Sequence, residues 1–198
     1  MNERETEFVD LRRIMVKSFA SAEVPHLISD LHSEREEVAS ALRGTPWQSV
    51  DLAYLDYHGI LYGHGLPYVL TPAALHYYLP ALMLACAENP RKADLLVDEM
   101  LVCTCTPAIS RYPFLLQIMV EITDYGETIE LIRGDEGAAI AAFLRYMRAH
   151  YRDYLQDCAA IAPVLRYIHA HYPQELWEHP VDRAIAYWAS RAEGCQAM

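Results

Sequence analysis

Apolar residues recur every three or four positions along most of this chain, which is the spacing of an α-helix that buries one face. Residues 4–19 form the first such stretch, and a second helix is predicted to begin at Pro25 and to end before Gly44. Later stretches with the same spacing cover residues 136–155 and 180–192. The pattern therefore predicts a mainly helical protein.

Threonine–proline pairs mark two further helix starts, because threonine caps the first amide groups and proline fits the first helical position. They occupy residues 45–46 and 71–72, and an asparagine–proline pair at 89–90 ends the helix that begins at the second of them. Another helix is predicted at 91–103, with a loop at 104–113.

The segment FLLQIMVEI at 114–122 fits a buried strand or a short helix, so we predict at most a short hairpin near 114–132. The chain has no internal repeat and no linker long enough to separate two domains. We therefore predict one irregular all-α domain, 1–198, with about seven or eight helices. In this prediction a pair of helices in residues 1–44 packs on a core formed by 45–193.

A proline, Pro80, interrupts the most apolar predicted helix. It removes one backbone donor and frees the carbonyl of His76 from its usual bond. We interpret Pro80 as a packing kink and not as a reactive site, with Tyr77, Leu79 or Met83 contributing to the core.

The stretch LTPAALHYYLPALMLACAENP at 70–90 resembles the core motif of an uncharacterised bacterial family of small helical proteins. AAIAAFLRYM at 138–147 and AIAYW at 184–188 resemble later segments of the same family. The resemblance covers roughly residues 47–188 and implies a small helical bacterial protein. Similar small acidic proteins serve as immunity partners of bacterial toxins, so by association the resemblance implies a protein-binding role.

The formal net charge of −11 repels nucleic acid and anionic lipid, and it attracts basic proteins. No stretch approaches the ~18 uncharged apolar residues of a membrane span, and the charged first residues lack the apolar part of a secretory signal. The five cysteines are odd in number, and Cys86 and Cys158 lie in apolar helical patterns, which indicates free thiols. We therefore predict a cytoplasmic protein without membrane or nucleic-acid partners.

Histidine and cysteine pairs are the candidates for chemistry. The spacings C-x-C at Cys103 and Cys105 and H-x-H at 169–171 do not suit chelation from a helix, where residues two apart point in different directions. Neither a metal nor a cofactor is predicted. Cys103 or Cys105 could serve as a nucleophile, and His58 and His64 near a glycine loop could serve a small hydrolase or metalloenzyme together with carboxylates. This enzyme is the alternative hypothesis.

The segment EITDYGETIELIRGDE at 121–136 concentrates negative charge around a single base, Arg133. Charge of this kind speeds encounter with a basic protein, and Tyr125 is an aromatic residue of the type that anchors interfaces. The favoured hypothesis is thus a non-enzymatic protein whose partner is another protein, in its most concrete form an immunity-type inhibitor of a basic bacterial toxin. The predicted partner-binding residues are Glu121, Asp124, Tyr125, Glu127, Glu130, Asp135 and Glu136.

Overall fold

The computed structural model describes residues 2–29, 36–62, 66–109, 126–157 and 180–194. Its α-helices alone comprise more than half of the chain, and no strand occurs in the described ranges, so the predicted all-α fold is confirmed. Short 3-10 turns occur at Trp47–Ser49 and Ile60–Tyr62. The α-helices are α1 Glu3–Ser18, α2 Glu36–Leu42, α3 Leu52–Tyr57, α4 Leu66–Val69, α5 Pro72–Glu88, α6 Pro90–Ala93, α7 Leu95–Ile109, α8 Gly126–Leu131, α9 Gly134–His150, α10 Arg152–Asp157 and α11 Pro180–Gly194.

Helix α9 lies at the centre of the packing, where it contacts α11, α1 and α5, and α11 also packs on α7. Small residues permit the close approach of α9 and α11: a Cβ atom added at Gly137 would lie 3.3 Å from the carbonyl oxygen of Trp188. The buried apolar side chains form one cluster that extends from Leu11 in α1 to Trp188 in α11. The first helix and the later helices thus share a single core.

The predicted boundaries of α5 are confirmed. Thr71 is its N-cap, with the side-chain oxygen accepting from the amide of Ala74, and Pro72 occupies the first helical position. Asn89 ends α5, and its side chain accepts from the amide of Lys92 at the start of α6. Gly44 follows α2 with φ of +74°, a left-handed conformation that glycine adopts without steric cost, as a helix-ending glycine is expected to do.

The prediction that a helix begins at Pro25 is wrong. Residues 22–29 are irregular, and the described part of the following helix begins at Glu36. The backbone carbonyls of this segment bind the start of α5 instead. Thr71 donates from its hydroxyl to the carbonyl of Leu27 at 2.8 Å and from its amide to the carbonyl of Ile28 at 2.9 Å. Two carbonyls that a helix would have satisfied internally therefore tie this segment to the start of α5.

The prediction of one helix after Thr45-Pro46 is also wrong. Pro46 precedes the 3-10 turn at Trp47–Ser49, and α3 begins only after Asp51. The carboxylate of Asp51 accepts from the amide of Tyr54 at 2.8 Å, which makes aspartate the cap of this helix. The helix therefore begins at the cap formed by Asp51, six residues after Thr45, and not at the threonine–proline pair.

The predicted loop at 104–113 is wrong as far as Ile109, because α7 continues to that residue. Thr104 stays helical by donating its hydroxyl to the carbonyl of Met100 at 2.7 Å, one turn back. The short hairpin allowed near 114–132 does not include residues 126–131, because these form α8. Residues 114–125, with the ambiguous segment 114–122, lie outside the described ranges.

Pro80 lies inside α5 and is buried, in agreement with a packing role. Its neighbours Tyr77, Leu79 and Met83 are all in the core, as predicted. Tyr78 links α5 to the end of α2 by hydrogen bonding, because its buried hydroxyl donates towards the carbonyls of Leu42 and Thr45. Burial of this phenol raises its pKa, so the donor stays protonated through the neutral range.

Candidate functional site

The described part of the acidic segment forms an exposed surface on α8 and the start of α9, called the acidic surface below. Glu127, Glu130 and Asp135 are exposed, and Leu131 beside them is 43% exposed. The opposite side of α8 is anchored, because Thr128 is buried. Three predicted partner-binding residues, Glu121, Asp124 and Tyr125, lie outside the described ranges.

Arg191 of α11 holds this surface in place. Its guanidinium donates to the carbonyls of Ile129 at 3.2 Å and Ile132 at 3.4 Å, which caps the open carbonyl end of α8. The same group lies over the ring of Trp188, with Cζ 5.9 Å from the ring centroid. Trp188 is itself buried and donates from Nε1 to the carbonyl of Thr104 at 2.7 Å. The short acidic helix is therefore fastened to the core.

Glu136 does not belong to the acidic surface, contrary to the prediction. It is only 1% exposed and points into the fold between α5 and α9. One carboxylate oxygen, Oε2, accepts from the backbone amide of Arg133 at 2.7 Å, which is a helix-capping contact. The same oxygen lies 3.0 Å from Nε2 of His76. The residue is a structural link whose charge is hidden from any partner.

The second oxygen of Glu136, Oε1, is buried and has no hydrogen-bond partner among the described residues. His76 is nearly buried as well, with its side chain 12% exposed, and the ring of Phe19 lies 6.0 Å away between centroids. An isolated buried carboxylate oxygen is costly, so the two contacts at Oε2 must offset it. No sequence pattern indicated this pair, since 60 residues separate its members.

The histidine site of the alternative hypothesis is not assembled by the described residues. His58 lies exposed at the end of α3, where its ring contacts those of Tyr54 at 4.4 Å and Tyr57 at 5.0 Å between centroids. His64 lies outside the described ranges. Within those ranges no three histidine, cysteine or carboxylate side chains converge as metal ligands.

The cysteines suggested as nucleophiles are core residues. Cys103 and Cys105 are buried in α7, Cys86 is buried in α5, and none of the three forms a disulfide. Burial raises the pKa of Cys105 to about 12 and raises that of Cys86 well above its usual range. Because the thiolate is the nucleophile, the burial of Cys103 and Cys105 and the raised pKa of Cys105 argue against a nucleophilic role.

We expect the free energy of unfolding to fall as the pH rises above 9, because the thiol of Cys105 has a pKa of about 12 when folded and 9.0 ordinarily. Between these values the unfolded chain has lost a proton that the folded chain keeps, so rising pH favours unfolding. Urea unfolding at about pH 8 and about pH 10 measures the effect, and Cys105→Ala should weaken it by up to about 1.4 kcal/mol per pH unit. An unchanged pH dependence in Cys105→Ala would contradict the assignment.

A separate groove of about 600 Å³ opens where α5 gives way to α6 and where α9 gives way to α10. Two tyrosines of the α10 side tie its walls together: Tyr151 donates to the carbonyl of Ala87 at 3.1 Å, and Tyr154 donates to that of Asp94 at 3.4 Å. These bonds fix the spacing between the two helix junctions. The groove is therefore a feature of the packed fold and does not depend on one loop.

Three arginines line this groove, and one of them is held rigidly. Arg4 donates to the carbonyl of Glu88 at 3.0 Å, and its guanidinium lies 4.9 Å from the ring centroid of Tyr151. Arg91 and Arg152 are exposed and form no ion pair with any described residue. Sequence analysis missed the arginines because they are separated along the chain by 60 residues or more and meet only through packing.

Comparison of the chain with family models, with curated proteins and with solved structures finds no match in any of the three. The resemblance drawn from residues 70–90 therefore stays a prediction. Among the described helices, none combines the length and apolar character needed to cross a membrane.

Proposed function

We propose that this chain is a non-catalytic helical protein that binds a basic protein through its acidic surface. The observation that carries the proposal is the presentation of Glu127, Glu130 and Asp135 on a helix fastened to the core by Arg191. A fixed helix loses little conformational freedom on binding, so its carboxylates present a preorganised charge pattern. Leu131 adds partly exposed apolar area among these charges.

Charge has a kinetic role in this proposal. An exposed ion pair contributes at most about 1 kcal/mol, so single carboxylates do little alone. Acting together with the net charge of −11, they produce a field that accelerates encounter with a positive partner. Contact energy must come from the apolar part of the surface, of which Leu131 is the described member.

The concrete form of this function is an immunity-type inhibitor that neutralises a basic bacterial toxin in the cytoplasm. Its support is the acidic surface, together with the association suggested by the resemblance at residues 70–90. A reducing cytoplasm also suits the buried thiols, which form no disulfide. The inhibitor would act by covering the partner's basic substrate-binding surface.

Reversing two charges of the acidic surface should slow association with the partner. We expect Glu127→Lys together with Glu130→Lys to reduce the association rate constant about tenfold at low salt and much less at high salt, because screening removes steering. Affinity capture from the source organism's lysate would supply the partner, and surface plasmon resonance at two ionic strengths would supply the rate constants.

The matched control is Glu36→Lys together with Glu37→Lys, which changes the net charge equally on the exposed start of α2. This control should associate at close to the wild-type rate. If the association rate constant falls by the same factor in both double variants, only net charge matters and the acidic surface is not the docking site. Capture of no basic protein by wild type would contradict the proposal directly. For the inhibitor form, co-expression should protect cells from toxicity of the captured protein.

A further inference from the structure

We propose that the arginine-lined groove binds a small molecule with two or more anionic oxygen groups, phosphate or carboxylate. The groove lies at the junctions of α5 with α6 and of α9 with α10, and its residues are distinct from those of the acidic surface. This binding activity goes beyond the proposed protein-binding function.

The first argument is charge placement. In a protein of net charge −11, three arginines, Arg4, Arg91 and Arg152, line one concave space. The groove is also lined by two acidic residues, Glu88 and Asp153. The arginines outnumber them, so the groove carries a net positive charge although the protein as a whole is negative. A histidine at the rim, His150, is already engaged with the carboxylate of Glu7 at 2.6 Å.

The second argument is the availability of donors. Arg91 and Arg152 make no ion pair with the described residues, whereas Arg148 near by is bound to Asp182 through two contacts of 3.1 Å. A guanidinium presents a planar fork of donors that matches the oxygens of a phosphate or carboxylate. Two such forks without an ion-pair partner among the described residues, one from each helix junction, can be satisfied together by a ligand that bears two anionic groups.

The third argument is rigidity. Arg4 cannot swing freely, because the carbonyl of Glu88 and the ring of Tyr151 hold its guanidinium. Its guanidinium is always charged, as in any arginine, and contacts with Tyr146 and Tyr151 raise its pKa further. The tyrosine hydroxyls fix the distance between the walls, and a preformed site loses little free energy to ordering when a ligand binds.

Isothermal titration calorimetry with pyrophosphate and with citrate at low salt tests the proposal. We expect one equivalent of at least one probe to bind wild-type protein. Arg91→Gln together with Arg152→Gln should weaken that binding at least tenfold, because both exposed donor forks are lost. Binding of pyrophosphate alone identifies a phosphate ligand, and binding of citrate alone identifies a carboxylate ligand.

A matched control separates the groove from bulk charge. Arg43→Gln together with Arg145→Gln removes the same charge from exposed positions outside the groove lining, and binding should stay within about twofold of wild type. Binding of neither probe to wild type would overturn the proposal, and so would equal losses in the two double variants. Circular dichroism of each variant checks that the helical fold is intact. The result is independent of protein capture by the acidic surface, because the two experiments change different residues.

Discussion

Replacing Trp188 with alanine should reduce the free energy of unfolding by about 3–5 kcal/mol, the range expected when a buried large aromatic is truncated in a core. The indole is 1% exposed, packs where α11 meets α9, and donates to the carbonyl of Thr104 in α7. It also lies beneath the guanidinium of Arg191. One substitution thus loosens the contacts of α11 with two helices and with the cap of α8. Urea unfolding followed by circular dichroism measures the change.

Two comparison variants locate the cause. Trp188→Phe keeps much of the apolar area but removes the Nε1 donor, so it should cost less than the alanine variant, about 1–3 kcal/mol. Tyr57→Ala removes an aromatic that is 86% exposed and should change stability by less than about 0.5 kcal/mol. If Trp188→Ala proves no more destabilising than Tyr57→Ala, α11 does not pack as described.

Replacing Glu136 with alanine should cost about 3 kcal/mol, the lower end of the range for removing one partner of a buried charged contact. The substitution leaves the amide of Arg133 and Nε2 of His76 without their shared acceptor. It also opens a space beside the start of α9. Thermal and urea unfolding both report the loss.

Glu136→Gln separates the cost of losing the hydrogen-bond acceptor from the cost of losing the carboxylate charge. The side-chain oxygen of glutamine can take the place of Oε2, where it accepts from the amide of Arg133 and from the His76 ring when that ring donates from Nε2. The neutral amide nitrogen then takes the place of Oε1, which has no partner among the described residues. We therefore expect a change within about 1 kcal/mol, because no buried charge is left uncompensated. Glu130→Ala, a change at an exposed position on α8, serves as the control. A glutamine variant as unstable as the alanine variant would contradict the view that Glu136 acts here as a hydrogen-bond acceptor.

Local patterns were enough to predict the helical class and several boundaries. The cap at Thr71 and the stop at Asn89 depend on side chains within three residues of the amides they bind, so the sequence contains the whole cause. The failures arise where a distant group competes. Leu27 and Ile28 are not helical as predicted, because their carbonyls accept hydrogen bonds from Thr71, which is more than 40 residues away along the chain.

The acidic surface shows the same division. A run of carboxylates predicts a charged segment, but it does not tell which carboxylates are exposed. Glu127 and Glu130 are exposed on α8, whereas Glu136 is turned inward by His76 and by the amide of Arg133. The groove arginines carried no local pattern, because their meeting depends on the way α1, α6 and α10 converge.

The position of α11 along the chain has a consequence for biosynthesis. Residues 180–194 leave the ribosome after every other described helix, yet they cover the buried faces of both α7 and α9. During translation at about 5–20 residues per second, α7 and α9 emerge seconds before α11 can make its contacts with them. The nascent chain is thus most exposed to aggregation just before Trp188 arrives, and a chaperone that shields α9 would be most useful in that interval.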